Sequence, residues 1–158
     1  MTTRAAVPLA EMLMLAAWLG AALLFTAVVA PAAFSALPTR TLAGALVGRV
    51  LPALFYAGMA IGLAVFVLDA VGGTGAWLRA FAGAVTAVSC AIAQFIIGGR
   101  IEQVRQQIAG PLEALAIDDA RRSAFGRLHA FSVGWLAIAI IAAVVALVLA
   151  ARAMPSRT

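Results

Sequence analysis

The chain has no lysine, one cysteine, one histidine and one tyrosine, and only 11% of its 158 residues carry charge. Without lysine, Schiff-base catalysis and P-loop phosphate binding are excluded. A single cysteine, Cys90, forms no intrachain disulfide, and with no Cys or His beside it Cys90 reads as a small core filler. The shortage of charge is the largest departure from a soluble protein, in which roughly a quarter of residues are charged. What fills the space is apolar: 65% of residues are hydrophobic and the mean hydropathy is +1.10.

Four apolar runs carry that excess: Met12 to Ala30, Val50 to Leu68, Ala80 to Gly98 and Ala130 to Ala151. Each has about the 20 residues that cross a hydrocarbon core of roughly 30 Å as a helix. Barrel strands are shorter and alternate in polarity, so the spans are predicted to be helical. The expected architecture is all-α: a single antiparallel four-helix membrane domain over residues 1–158, with spans near 10–32, 50–69, 77–99 and 129–151. The first run exceeds the roughly 7 to 15 residues of a signal h-region and is expected to be retained, although Ala30-Pro31-Ala32 looks like a small-residue cleavage site.

The connections differ in character. LPTRTLAGALVGR (37–49) is predicted to form a short interfacial helix, and DAVGGTGAW (69–77) to make a tight Gly-rich hairpin. The third connection, from Arg100 to about Arg127, holds most of the polar chemistry. Ile101, Val104 and Ile108 keep helical spacing until Gly110-Pro111, and Asp118-Asp119 suit a helix start, so helices 3 and 4 should extend beyond the bilayer. Connections 1 and 3 hold Arg40, Arg49, Arg100, Arg105, Arg121, Arg122 and Arg127, against Arg4, Arg79, Arg152 and Arg157 on the other side. The positive-inside rule then places connections 1 and 3 in the cytoplasm of a multi-pass protein of the cytoplasmic membrane. The net charge of +5 is spread along these boundaries, which suits anionic lipid headgroups and not nucleic acid.

Small residues mark expected helix contacts: Gly58 and Gly62 in span 2, and Gly126, Ala130 and Gly134 in span 4. Packing within the chain is the plain reading, and a homodimer through Gly58 and Gly62 the alternative. The stretches Trp18 to Gly20, Leu37-Pro38 with Arg40, Leu51-Pro52, and the set Phe125, Arg127, His129 and Ser132 are together similar to the transmembrane protein 205 family, a group of four-span proteins of unknown function. That resemblance implies a fold and a topology but no reaction. A weaker one, to copper-resistance D-type proteins and to four-span haem-linked protoporphyrinogen oxidases, implies a histidine in the first helix, and this chain has none there.

Polar groups inside spans are costly and often functional. Thr86, Cys90, Gln94 and Gly98 recur every four residues in span 3, continued by Glu102 and Gln106. His129, the lone imidazole, stands at the mouth of helix 4 at the level where helix 3 leaves the membrane. The expected site is a polar pocket of His129, Arg100, Glu102, Gln94, Arg127 and Arg49, with Arg127 reaching headgroups and His129 turned inward. At the opposite boundary Glu11 and Asp69 read as anchors, since a proton relay would need them deeper and paired. No Ser/His/Asp set or zinc site assembles; no cofactor is predicted, and haem held by His129 with Met59 is disfavoured. The expected function is a non-enzymatic, transporter-like or accessory membrane protein that handles a small amphiphile, ion or lipid. The alternatives are a subunit of a larger membrane complex and a haem-linked redox protein.

Overall fold

The computed structural model describes residues 3–71, 76–108 and 110–154, with side chains from residue 6 onward. The Gly-rich turn of the second connection, the Arg4 side chain and Arg157 lie outside these. The first span joins α1 (Thr3–Leu24), a π turn (Phe25–Val29) and α2 (Ala30–Ala36); the second is α3 (Arg40–Val71). The third joins α4 (Trp77–Ala91), a π turn (Ile92–Ile97) and α5 (Gly98–Gln106), and the fourth is α6 (Ala120–Arg152). All four are long and apolar enough to cross a membrane, and there is no strand among the described residues. The protein is an all-α, four-helix membrane bundle. Each span packs on the next in the chain and the fourth returns to the first, which closes a ring and leaves spans 1 and 3 on a diagonal.

Connection 1 differs from its expected form. In place of a separate interfacial helix, residues 40–49 are the first turns of α3 itself, which runs for 32 residues or about 48 Å. Pro38 cannot join a helix ladder from that side, so the break falls there, and the Thr39 hydroxyl accepts the Leu42 N–H as an N-cap. The Glu113 carboxylate, from a short 3-10 turn (Leu112–Ala114), accepts the Thr41 N–H and hydroxyl. Connection 3 is thereby tied to the start of α3. The bond from the Thr41 hydroxyl also holds the Glu113 carboxyl below its ordinary range.

Helix 3 stops at Gln106, four residues ahead of the glycine expected to end it, and Gly110 then turns the chain at φ +128°. Asp119 caps α6 by accepting the Arg121 N–H at 2.8 Å. Arg121 and Arg122 donate to the carbonyls of Gln107 and Leu115. These arginines hold the connection together.

The interior is built from small residues at close range. A Cβ on Gly62 would lie 2.6 Å from the Gly83 carbonyl oxygen, and one on Gly58 would lie 2.6 Å from the Cys90 Sγ and 2.8 Å from the Trp18 ring. Gly58 and Gly62 therefore mark contacts inside the chain, where lipid supplies no hydrophobic drive and close backbone approach supplies dispersion. Trp18 adds a buried bond from its Nε1 to the Leu54 carbonyl at 2.9 Å. The expected contact row of span 4 is corrected: Gly126 and Gly134 are exposed and have open space around them. The buried stripe of α6 is instead Ser132, Leu136, Ala139, Ala143, Ala146 and Ala150. At that spacing alanines serve as the small residues, and the glycines lie off the stripe.

Candidate functional site

The six residues of the expected pocket lie toward the end of the bundle that carries connections 1 and 3. His129, Arg127, Arg100 and Arg49 are exposed, and among the described residues none of them has a hydrogen bond or ion pair. Glu102 is exposed; it faces Arg105 at 3.9 Å and accepts from Gln106 at 3.3 Å. Gln94 is half-buried within the second π turn. No hydrogen bond joins His129 to this row among the described residues. The buried stripe passes from Thr86 and Cys90 to Ala93 and Ile97 in alternating steps of four and three, and a row in strict steps of four drifts off that face, leaving Gln94 and Gly98 at its edge. Met59 packs half-buried against the core.

The buried charge lies at the other end. Glu11 is 0% exposed, Asp69 4% and Arg79 3%. The Arg79 guanidinium meets Asp69 side-on, donating from Nε to Oδ2 at 2.6 Å and from Nη2 to Oδ1. The Glu11 Oε2 lies 3.0 Å from the same Nε. Three spans thus contribute one charge each, and the contact from Arg79 to Glu11 spans the diagonal of the ring. This corrects the reading of Glu11 and Asp69 as water-reached anchors and of Arg79 as a boundary charge. Among the described residues, the two carboxylate oxygens of Glu11 are the buried side-chain polar atoms without a hydrogen bond. A surface groove of about 630 Å³, lined by Asp69, Ala76, Trp77, Ala80, Phe66 and Phe81, opens beside the centre.

A signal for this centre was present in the helical spacing. Glu11, Leu15, Trp18, Ala22 and Phe25 are separated by alternating steps of four and three, and all are buried. Asp69 follows Gly58, Gly62 and Val65 on one stripe, and Arg79 precedes Gly83, Thr86 and Cys90 on another. Each charged residue extends a stripe whose small or large apolar members already face inward. Reading position along the span as exposure obscured this.

Residues 13–110 match the family described as Domain of unknown function (DUF4149). The chain belongs to that family. No curated protein and no solved structure matches it. The matched stretch of this DUF4149 member covers most of span 1 together with spans 2 and 3, and so includes Asp69 and Arg79, while Glu11 precedes it by two residues.

Proposed function

We propose that this integral membrane protein is transporter-like and handles a small ion at the Glu11–Arg79–Asp69 centre. The observation that carries the reading is the burial of three charges, from three different spans, in a helix bundle. Ionisable residues inside a membrane are expensive and concentrate on ion pathways and proton relays. An apolar contact would join the helices without the cost of desolvating three charges, which in a buried pair can exceed the Coulombic gain. The groove beside Asp69 lies toward the end that carries the chain termini, where an approach to the centre would be shortest. Membership in the transmembrane protein 205 group within DUF4149 is part of this proposal. It rests on Trp18, Gly20, Leu37-Pro38, Arg40 and Leu51-Pro52, all inside the matched stretch, and on Phe125, Arg127, His129 and Ser132 beyond it. Exposed Arg49, Arg100 and Arg127 suit anionic headgroups at the opposite face.

Reconstitution into liposomes tests the function. With a potassium gradient and valinomycin setting the membrane potential, and a pH-sensitive dye inside, wild-type protein should move charge faster than protein-free vesicles. Asp69→Asn should reduce that rate to the background. Wild-type vesicles indistinguishable from empty ones, with proton, sodium and potassium gradients each tried, would remove the transport reading.

A further inference from the structure

We propose that Glu11 is a proton-binding site: it is held as the neutral acid in the resting protein and exchanges its proton with water on the side of the chain termini. The inference deepens the ion-handling reading by naming the ion and the atom that takes it. Two carboxylates, Glu11 and Asp69, share one guanidinium, so the fully ionised centre carries an excess negative charge at almost no exposure. The excess has to be removed or balanced, because burying an unpaired charge costs far more than burying a neutral acid.

The hydrogen-bond geometry decides which carboxylate gives way. A guanidinium Nε carries one hydrogen, and here it points to Asp69 Oδ2 at 2.6 Å. Asp69 takes a second bond from Nη2, which completes the side-on pairing that stabilises an ionised carboxylate. Glu11 Oε2 lies 3.0 Å from the same Nε without a hydrogen to accept, and among the described residues neither of its oxygens has any other donor. A carboxylate in that position is desolvated and unsatisfied. Protonation turns one oxygen into an O–H donor and removes the net charge in one step, with Asp69 and Arg79 remaining as a neutral pair.

Among the described residues no other charge alters the count. Span 4 presents alanines, Ala143, Ala146 and Ala150, on its buried face toward that end, and its Arg152 is exposed. Arg4 lies seven residues before Glu11, and its side chain is outside those described. The position also permits exchange. Glu11 is eight residues from the start of α1, about 12 Å along the axis, Asp69 is two from the end of α3, and Arg79 is two from the start of α4. The groove lined by Asp69, Ala76 and Trp77 reaches the centre at Asp69 from that end, and on this proposal the proton passes to Glu11 by way of it. The step is a simple proton transfer: water or hydronium gives a proton to the Glu11 carboxylate, and the acid returns it.

Infrared spectroscopy reads the state directly. The chain has six acidic side chains, and the four besides Glu11 and Asp69, namely Glu102, Glu113, Asp118 and Asp119, all lie in the third connection. In an ester-free detergent at neutral pH, wild-type protein should show the C=O stretch of a protonated carboxyl that shifts in D2O. Glu11→Gln, which copies the neutral acid in shape, should lose that band and keep the wild-type melting temperature. Asp69→Asn should melt lower than Glu11→Gln, because it breaks the side-on pair. Absence of the band from wild-type protein, its persistence in Glu11→Gln, or a marked loss of stability in that variant would each overturn the proposal. The liposome result is separate: a band without flux leaves a proton site in a protein that does not transport, and flux without a band leaves transport with a different ion carrier.

Discussion

At Gly62 there is no room for a methyl group, because the nearest atoms are the Gly83 carbonyl oxygen and the Ala87 nitrogen, and backbone cannot swing aside. Gly62→Ala should therefore lower the stability of the detergent-solubilised bundle by roughly 1–3 kcal/mol, the usual range for overpacking. Gly134→Ala, with open space around it, should change it little. Equal melting temperatures for the two variants would mean that spans 2 and 3 can part without cost. Arg79 sets a different kind of limit. Arg79→Met would leave the buried Asp69 carboxylate without its guanidinium, beside the neutral Glu11, and breaking a buried ion pair costs about 3–5 kcal/mol. Adding Glu11→Gln and Asp69→Asn to that variant should recover a large part of the loss in thermal unfolding, since no unpaired charge then remains. Residue types alone revealed Gly58 and Gly62 but not the centre. Glycine spacing is informative locally, whereas the spacing around Glu11 and Arg79 shows that each faces inward but not that the two, on diagonal helices, meet.

Among the elements, helix ends are set by short-range chemistry; the start of α6 at Asp119 was legible in the sequence, whereas the start of α3 at Arg40 and the end of α5 at Gln106 were not. Thr39 caps α3 and Asp119 caps α6, each just before a helix whose first turn needs acceptors for its free N–H groups. The interfacial helix did not form separately because no breaker stands between Arg40 and Pro52, and α3 passes through Pro52 without ending. The π turns were not legible. One ends two residues before Pro31, where the missing N–H favours a widened turn, and the other contains Gln94. The cap at α6 also has a pH signature. The hydrogen-bonded Arg121 guanidinium holds Asp119 down at about 2, below its ordinary carboxylate value. A depressed folded value means that the cap is complete above the ordinary value, near pH 4, and is lost as pH falls through about 2. Amide exchange in the first turn of α6, corrected for the intrinsic rate, should accelerate over that interval. In Asp119→Ala the same amides should exchange fast throughout and show no such step.

For the molecule as a whole, the two ends differ in how they use arginine. At the end formed by connections 1 and 3, Arg40, Arg49, Arg100, Arg105 and Arg127 are exposed, and Arg121 and Arg122 brace the connection. At the other end, Arg79 is withdrawn into the bundle and neutralised by its neighbours. The asymmetry that the positive-inside rule reads is the arginine count itself, seven for connections 1 and 3 against four for the other side. The expected topology therefore has connections 1 and 3 in the cytoplasm and both ends of the chain outside. In a Cys90→Ala background, single cysteines at Gln103 and Ser123, both exposed positions of the third connection, should resist a membrane-impermeant maleimide in intact cells and react after lysis. A cysteine at Thr158 should react without lysis. The reverse pattern would place the groove beside Asp69 in the cytoplasm, and the proton proposed to enter through it would then come from the opposite compartment.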